Sequence, residues 1–216
     1  MAFRVKLAKN DELDCFLDKS IIELGHFFNM TWTKNRPCIF LVQDRKTIDL
    51  LRGETTPDWL VGWSNGKDIF MLDEETFENE SCHAHSDKEY FMLLKHELVH
   101  CFCNIVFPWF GKPLWLREGI AIYLAGQCST KKRPETFREF LSYIESGGDK
   151  LYSESGFAVE ILVREFGWNK IIDLIKGLRN VRSNRDFEVL FEKVYGFCLD
   201  YEEFERLRKN RDKNND

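Results

Sequence analysis

The stretch LLKHELVHCF, from Leu93 to Phe102, places two histidines four positions apart inside an apolar run. A helix is the conformation that brings His96 and His100 onto one face, one turn apart. Two neutral imidazoles at that separation can share a zinc ion. Glu97 sits beside the first of them, close enough to reach a metal-bound water and turned away from direct ligation. If this is half of a metal site, the chain must fold so that a second element supplies the other half.

A catalytic zinc needs a third protein ligand and an open position. The stretch PLWLREGIAIYLAG supplies Glu118, eighteen positions after His100. A connector containing Pro108, Gly111 and Pro113 lets this second helix fold back antiparallel to the first. Gly119 and Ala121, both small, are expected to permit close approach to the metal. Ile120, Ile122 and Leu124 read as packing residues. A lone buried carboxylate needs a cation partner. Zinc would be that partner, and an ion pair with Arg117 is the competing explanation.

Around this core the chain reads as strands first and helices later, which argues an α+β fold. The predicted arrangement is a small N-terminal mixed sheet with helices, followed by a mainly helical half. NDELDCFLDKSIIELGHFF has a capping-type start and apolar residues at helical spacing. RPCIFLV reads as a buried strand, and DRKTIDLLRG as a short helix ended by Gly53. DWLVGWS and DIFML flank Asn65-Gly66, the strongest short signal for a hairpin. The segment from Asp73 to Ser86 is expected to be a loop with one helical turn. A helix should run from Asp87 to Val106 and stop before Pro108, and another is closed by Gly126. Further helices are expected at Pro134–Ser146, Ser153–Phe166, Asn169–Leu178, Asp186–Tyr195 and Tyr201–Lys209. On this division residues 1–86 form an α/β lobe, 87–208 a helical lobe carrying the zinc site, and 209–216 a frayed polar tail.

The 216 residues are 44% hydrophobic, enough for one compact unit with a real core. The net charge of −5 and the lack of a basic stripe argue against nucleic acid as a partner. Seven scattered cysteines do not form a secreted framework and read as reduced thiols in a cytoplasmic protein. The N-terminus lacks an apolar signal core, and no run of about eighteen apolar residues suggests a membrane span. CHAH, from Cys82 to His85, has metal-like spacing but reads as solvated loop. In CFC, Cys103 is expected near the ligand face and Cys101 away from it. His26 reads as a capping or surface residue, and DEETFENES as a solvated turn.

HELVH followed by WLREGIA resembles the gluzincin metallopeptidases, and within them the small peptidase MA-like proteins, whose pattern is HExxH and then W-L-x-E-G-x-A. The resemblance covers Trp59 to about Gly167. It implies a thermolysin-like catalytic core, one zinc ion bound by His96, His100 and Glu118, and Glu97 as general base. One departure is Arg117, where many relatives carry Asn. The segment LYSESGFAVEILVREFG resembles the Tyr-x-x-Ser segment of peptidase MA-like proteins, which makes Tyr152, with Ser155, the favoured oxyanion donor over Tyr123 and Tyr143. In that family an edge strand beside the zinc helix pairs with an extended peptide, and here Asp68–Leu72 or Leu60–Ser64 would serve. The aromatics of FPWFGKP could wall an apolar subsite or plug the end of the core.

The expected function is zinc-dependent hydrolysis of a peptide or an exposed protein segment, with neither nucleic acid nor membrane as partner. Two alternatives stay open. The same ligands could hold zinc in a regulatory or structural module, although such a site has no use for Glu97 as a base. The spacing could also be a chance motif on a helical domain without metal.

Overall fold

The computed structural model describes residues 10–107, 113–143 and 149–214. The first helix, α1 (Asp11–Phe28), starts where the Asn10 side chain accepts a hydrogen bond from the Leu13 amide at 3.0 Å. Asp11, Glu12 and Asp14 occupy its first turn, where the helix dipole favours negative charge. It ends at Asn29 in the left-handed conformation, φ 52°. Its apolar stripe (Leu13, Ile21, Leu24 and Phe28) is buried. His26 is exposed.

Strand β1 (Cys38–Val42) leads into α2 (Arg45–Arg52), capped by Asp44 at one end and by left-handed Gly53 at the other. Strands β2 (Gly62–Asn65) and β3 (Asp68–Leu72) form the hairpin, with Gly66 at φ 62° in the turn. The sheet order is β1-β3-β2, with β1 parallel and β2 antiparallel to β3. Side chains alternate across it. Phe40, Phe70 and Trp63 stack in a row on one face, while Ile69 and Met71 are fully buried on the other. The central strand is β3, so Asp68–Leu72 is excluded as a substrate-pairing edge and β2 is an edge. The chain leading into β2 is held by Arg45, whose guanidinium donates to the carbonyls of Pro57, Asp58 and Glu80.

After a single turn, α3 (Phe77–Glu80), the long α4 (Asp87–Val106) packs against β2 and β3. Then follow α5 (Leu114–Leu124), α6 (Asp149–Phe166), α7 (Trp168–Gly177), α8 (Asn184–Tyr195) and α9 (Tyr201–Asn214). Short 3-10 turns lie at Gln127–Ser129, Phe140–Ser142 and Leu178–Asn180. The buried apolar side chains form one cluster, from Leu13 on α1 to Leu207 on α9. The architecture is therefore mixed α+β, mainly helical, with a small three-stranded sheet. Among the described residues no helix is long and apolar enough to cross a membrane.

Several boundaries depart from the sequence reading. Helix α6 begins at Asp149, a turn earlier than Ser153, and α9 continues to Asn214, so the polar tail is helical through that residue. The helix expected from Pro134 is absent as far as Tyr143. Only the Phe140–Ser142 turn forms, and the expected end at Ser146 lies outside the described residues. The reason is that side chains from other helices take the amides this helix would need. The Glu154 carboxylate on α6 accepts from the amides of Arg138, Glu139 and Phe140. Glu205 on α9 accepts from the Phe137 amide, and the Tyr201 hydroxyl from the Leu141 amide. Tertiary partners thus replace the local ladder.

Candidate metal centre

The 20-residue α4 presents His96 and His100 one turn apart, and α5 brings Glu118 against them. His96 Nε2 and His100 Nε2 are 3.0 Å apart. Glu118 Oε2 lies 3.3 Å from each. All three residues are buried, with 6 to 8% of their surface exposed. A tetrahedral zinc ion about 2.0–2.1 Å from its nitrogen and oxygen ligands spaces those atoms roughly 3.3 Å apart. The triangle matches that spacing within a few tenths of an ångström, and its donor set (two imidazoles and a carboxylate) is one that zinc takes. The three residues therefore fit the ion that the spacing suggests.

Burial works to push the Glu118 carboxyl up, but His100 and His96 outweigh it and hold the group well below the usual carboxylate range. Burial pulls His96 down, yet Glu118, Glu97 and the contact with Gln127 together leave it raised. The pocket thus attracts positive charge, which a proton or a metal ion can satisfy.

Glu97 is half-buried, and one of its carboxylate oxygens lies within 4.8 Å of a ring nitrogen of both His96 and His100. The edge strand β2 passes close above it: a Cβ built on Gly62 would come 3.6 Å from Glu97 Cγ. Tyr152 on α6 is 38% exposed. Its phenol is pushed up to about 12, first by burial and then by the charges of Glu118 and Glu97. Tyr123 instead stacks on Trp168 and feels Glu160 and Cys128. The Tyr143 carbonyl accepts from the Trp115 amide at the start of α5.

On α5 the competing explanation for Glu118 falls away and one expectation is corrected. Arg117 does not pair with Glu118; its guanidinium donates to Asn104 Oδ1 at 3.0 Å, and Asn104 in turn donates to the Gly66 carbonyl. Gly119 serves the approach of α6 rather than the approach to a metal. A Cβ there would lie 2.5 Å from the Ser155 carbonyl oxygen and 2.7 Å from Val159 Cγ2. Gly156 answers from α6, where a Cβ would meet Ile122 at 2.2 Å. These two glycines let the helices pack in near-backbone contact and so set the position of the Glu118 backbone.

Cys101 and Cys103 are both buried, and burial pushes both thiols up. The charge of Glu118 reaches Cys103, while that of Glu97 reaches Cys101. In the CHAH segment Cys82 and His83 are exposed, and His85 Nε2 lies 3.1 Å from Glu74 Oε1. Glu74, His85 and Asp87 gather at the surface without Cys82. Trp109 and Phe110, expected as aromatic wall or plug, lie outside the described residues; Phe107 is buried.

The sequence reading missed one residue of the site. Gln127 is buried, and its side-chain oxygen lies 3.0 Å from His96 Nδ1. Its only signal in the sequence is its place after Gly126, which marks the end of α5. No family model, curated protein or solved structure matches this chain.

Proposed function

We propose that this protein is a zinc-dependent hydrolase of peptide bonds with a gluzincin-like, thermolysin-type catalytic core, acting in the cytoplasm on a peptide or an exposed protein segment. One observation carries the reading: His96 Nε2, His100 Nε2 and Glu118 Oε2 converge within 3.3 Å of one another, with the Glu97 carboxylate beside them. The three converging side chains hold the ion. Bound there, zinc supplies a Lewis acid that brings the pKa of water toward about 7.

The remaining roles belong to the protein. Glu97 accepts the proton of the attacking water and returns it to the leaving amine. Tyr152, half-exposed and within reach of the charges of Glu97 and Glu118, donates a hydrogen bond to the developing oxyanion. The free edge of β2 pairs with an extended substrate through backbone hydrogen bonds, which demand little of its sequence. Gly62 lets β2 lie close against Met71 and Glu97, where a Cβ would come 2.6 Å from Met71 Sδ and 3.6 Å from Glu97 Cγ.

The test is Glu97→Gln. Zinc content stays at one ion per chain and cleavage of a fluorogenic peptide library is lost. Cleavage at the wild-type rate would overturn the mechanism. A Glu97 carboxylate oxygen within 4.8 Å of a ring nitrogen of each histidine also supports a second reading, in which it is a further ligand of a closed, non-catalytic zinc site. Under that reading Glu97→Gln weakens zinc binding, and the wild type cleaves nothing.

A further inference from the structure

We infer that Gln127 is the positioning residue for His96: its side-chain oxygen accepts the Nδ1 proton and leaves the Nε2 lone pair facing His100 and Glu118. The inference rests on the zinc-site reading above and concerns how this chain prepares the site. A neutral imidazole carries one N–H, so the partner of one nitrogen decides whether the other can bind a metal. Were Nδ1 the acceptor, the proton would sit on Nε2, in the narrow space shared with His100 Nε2 and Glu118 Oε2. That tautomer closes the site to a cation.

The backbone holds Gln127 ready for this role. After α5, Gly126 turns the chain at φ 78°, a conformation natural to glycine. Gln127 then opens a 3-10 turn whose amides at Thr130 and Lys131 both donate to its carbonyl, and the Thr130 hydroxyl donates there as well. Its side chain is thereby aimed back at α4, with 8% of the residue exposed. Because a buried amide is costly to leave unpaired, His96 and Gln127 each satisfy the other. The pairing also differs from a carboxylate–imidazole pair in charge. Gln127 orients the ring without adding a second negative group next to Glu118.

The test measures zinc affinity by competition with a chromophoric chelator for the wild type, Gln127→Met and Gln127→Glu, together with 15N NMR of the imidazoles in the metal-free wild type. Methionine keeps length and replaces the amide oxygen by a thioether, a weak acceptor at most, so affinity should fall about 10- to 100-fold. Glutamate keeps the acceptor and should bind zinc at least as tightly as the wild type. Recorded at alkaline pH, where the ring is neutral, the NMR spectrum should show the single His96 ring proton on Nδ1. Affinity of Gln127→Met within about twofold of the wild type, or an Nε2-protonated His96, overturns the inference and leaves the zinc site standing. A wild type that binds no zinc overturns the proposed function itself.

Discussion

Replacing Gly119 by alanine tests whether the α5–α6 contact sets the geometry of the site. The added Cβ would stand 2.5 Å from the Ser155 carbonyl oxygen and 2.9 Å from its carbon, about 0.9 Å short of an ordinary 3.4 Å contact. The obstacle is backbone within α6, so the helices must separate. The neighbouring Val159 offers little relief, because it is fully buried and a β-branched side chain has one strongly preferred rotamer in a helix. Overpacking of this kind costs about 1–3 kcal/mol, and a rigid obstacle places it near 3. Alanine recovers about 1 kcal/mol of helix propensity. The net is a destabilisation of about 2 kcal/mol, or a Tm lowered by roughly 4–8 °C for a domain of this size.

Gly177→Ala is the internal comparison. Its Cβ also meets an atom at 2.5 Å, but that atom is a methyl of Leu190, which can rotate away. That variant should stay within about 1 kcal/mol of the wild type. Thermal and urea unfolding followed by circular dichroism measure both. Because Glu118 precedes Gly119, the same separation should weaken zinc binding in Gly119→Ala alone. Equal stability of the two variants, or a Gly119→Ala protein as stable as the wild type, would refute the close approach of α5 and α6.

The other predictions concern the site and the segment beside it. Zinc affinity should fall as pH drops, starting above the ordinary histidine value of 6.5 because His96 is raised, and little metal should remain at pH 5; occupancy unchanged between pH 8 and pH 5 would contradict this. In the metal-free protein the signs separate. The raised His96 stabilises the fold below about 6.5 and its contribution fades as pH rises past the folded value, whereas the lowered Glu118 stabilises above about 4.5 and its contribution is lost toward acid. Denaturant midpoints of chelator-treated protein should therefore be highest between those limits, and a midpoint that climbs steadily to pH 9 would speak against the pair. Tyr152→Phe should keep zinc and the fold while lowering kcat about 10²- to 10³-fold, in line with loss of one oxyanion donor; an unchanged kcat removes Tyr152 from the mechanism. Glu154→Gln should destabilise by about 1–3 kcal/mol and raise hydrogen exchange at the amides of residues 138–140, because all three converge on Glu154 Oε2 and the neutral amide removes the charge that strengthens those bonds.

The local code carried the elements whose stability is local. Asn10 and Asn29 bracket α1, Gly53 ends α2, and Asn65-Gly66 makes the hairpin, because capping and left-handed turns depend on a few adjacent residues. The four-residue spacing of His96 and His100 likewise guarantees a shared helix face. The same local reasoning failed at residues 134–143. Their composition reads as helix, yet their amides are taken by Glu154, Glu205 and Tyr201 from helices distant in sequence.

What the sequence determined by itself was that His96 and His100 share one face of a helix and that Glu118 sits on the helix after it, since both follow from periodicity and turn chemistry. Tertiary structure decided the rest. It set the 3.3 Å approach of Glu118, turned Arg117 toward Asn104, made β2 rather than β3 an edge, and aimed Gln127 at His96. The physical reason is that each of these depends on which helix or strand lies alongside, and that is settled by packing at positions such as Gly119 and Gly156, where the absence of a side chain matters only once a neighbour arrives.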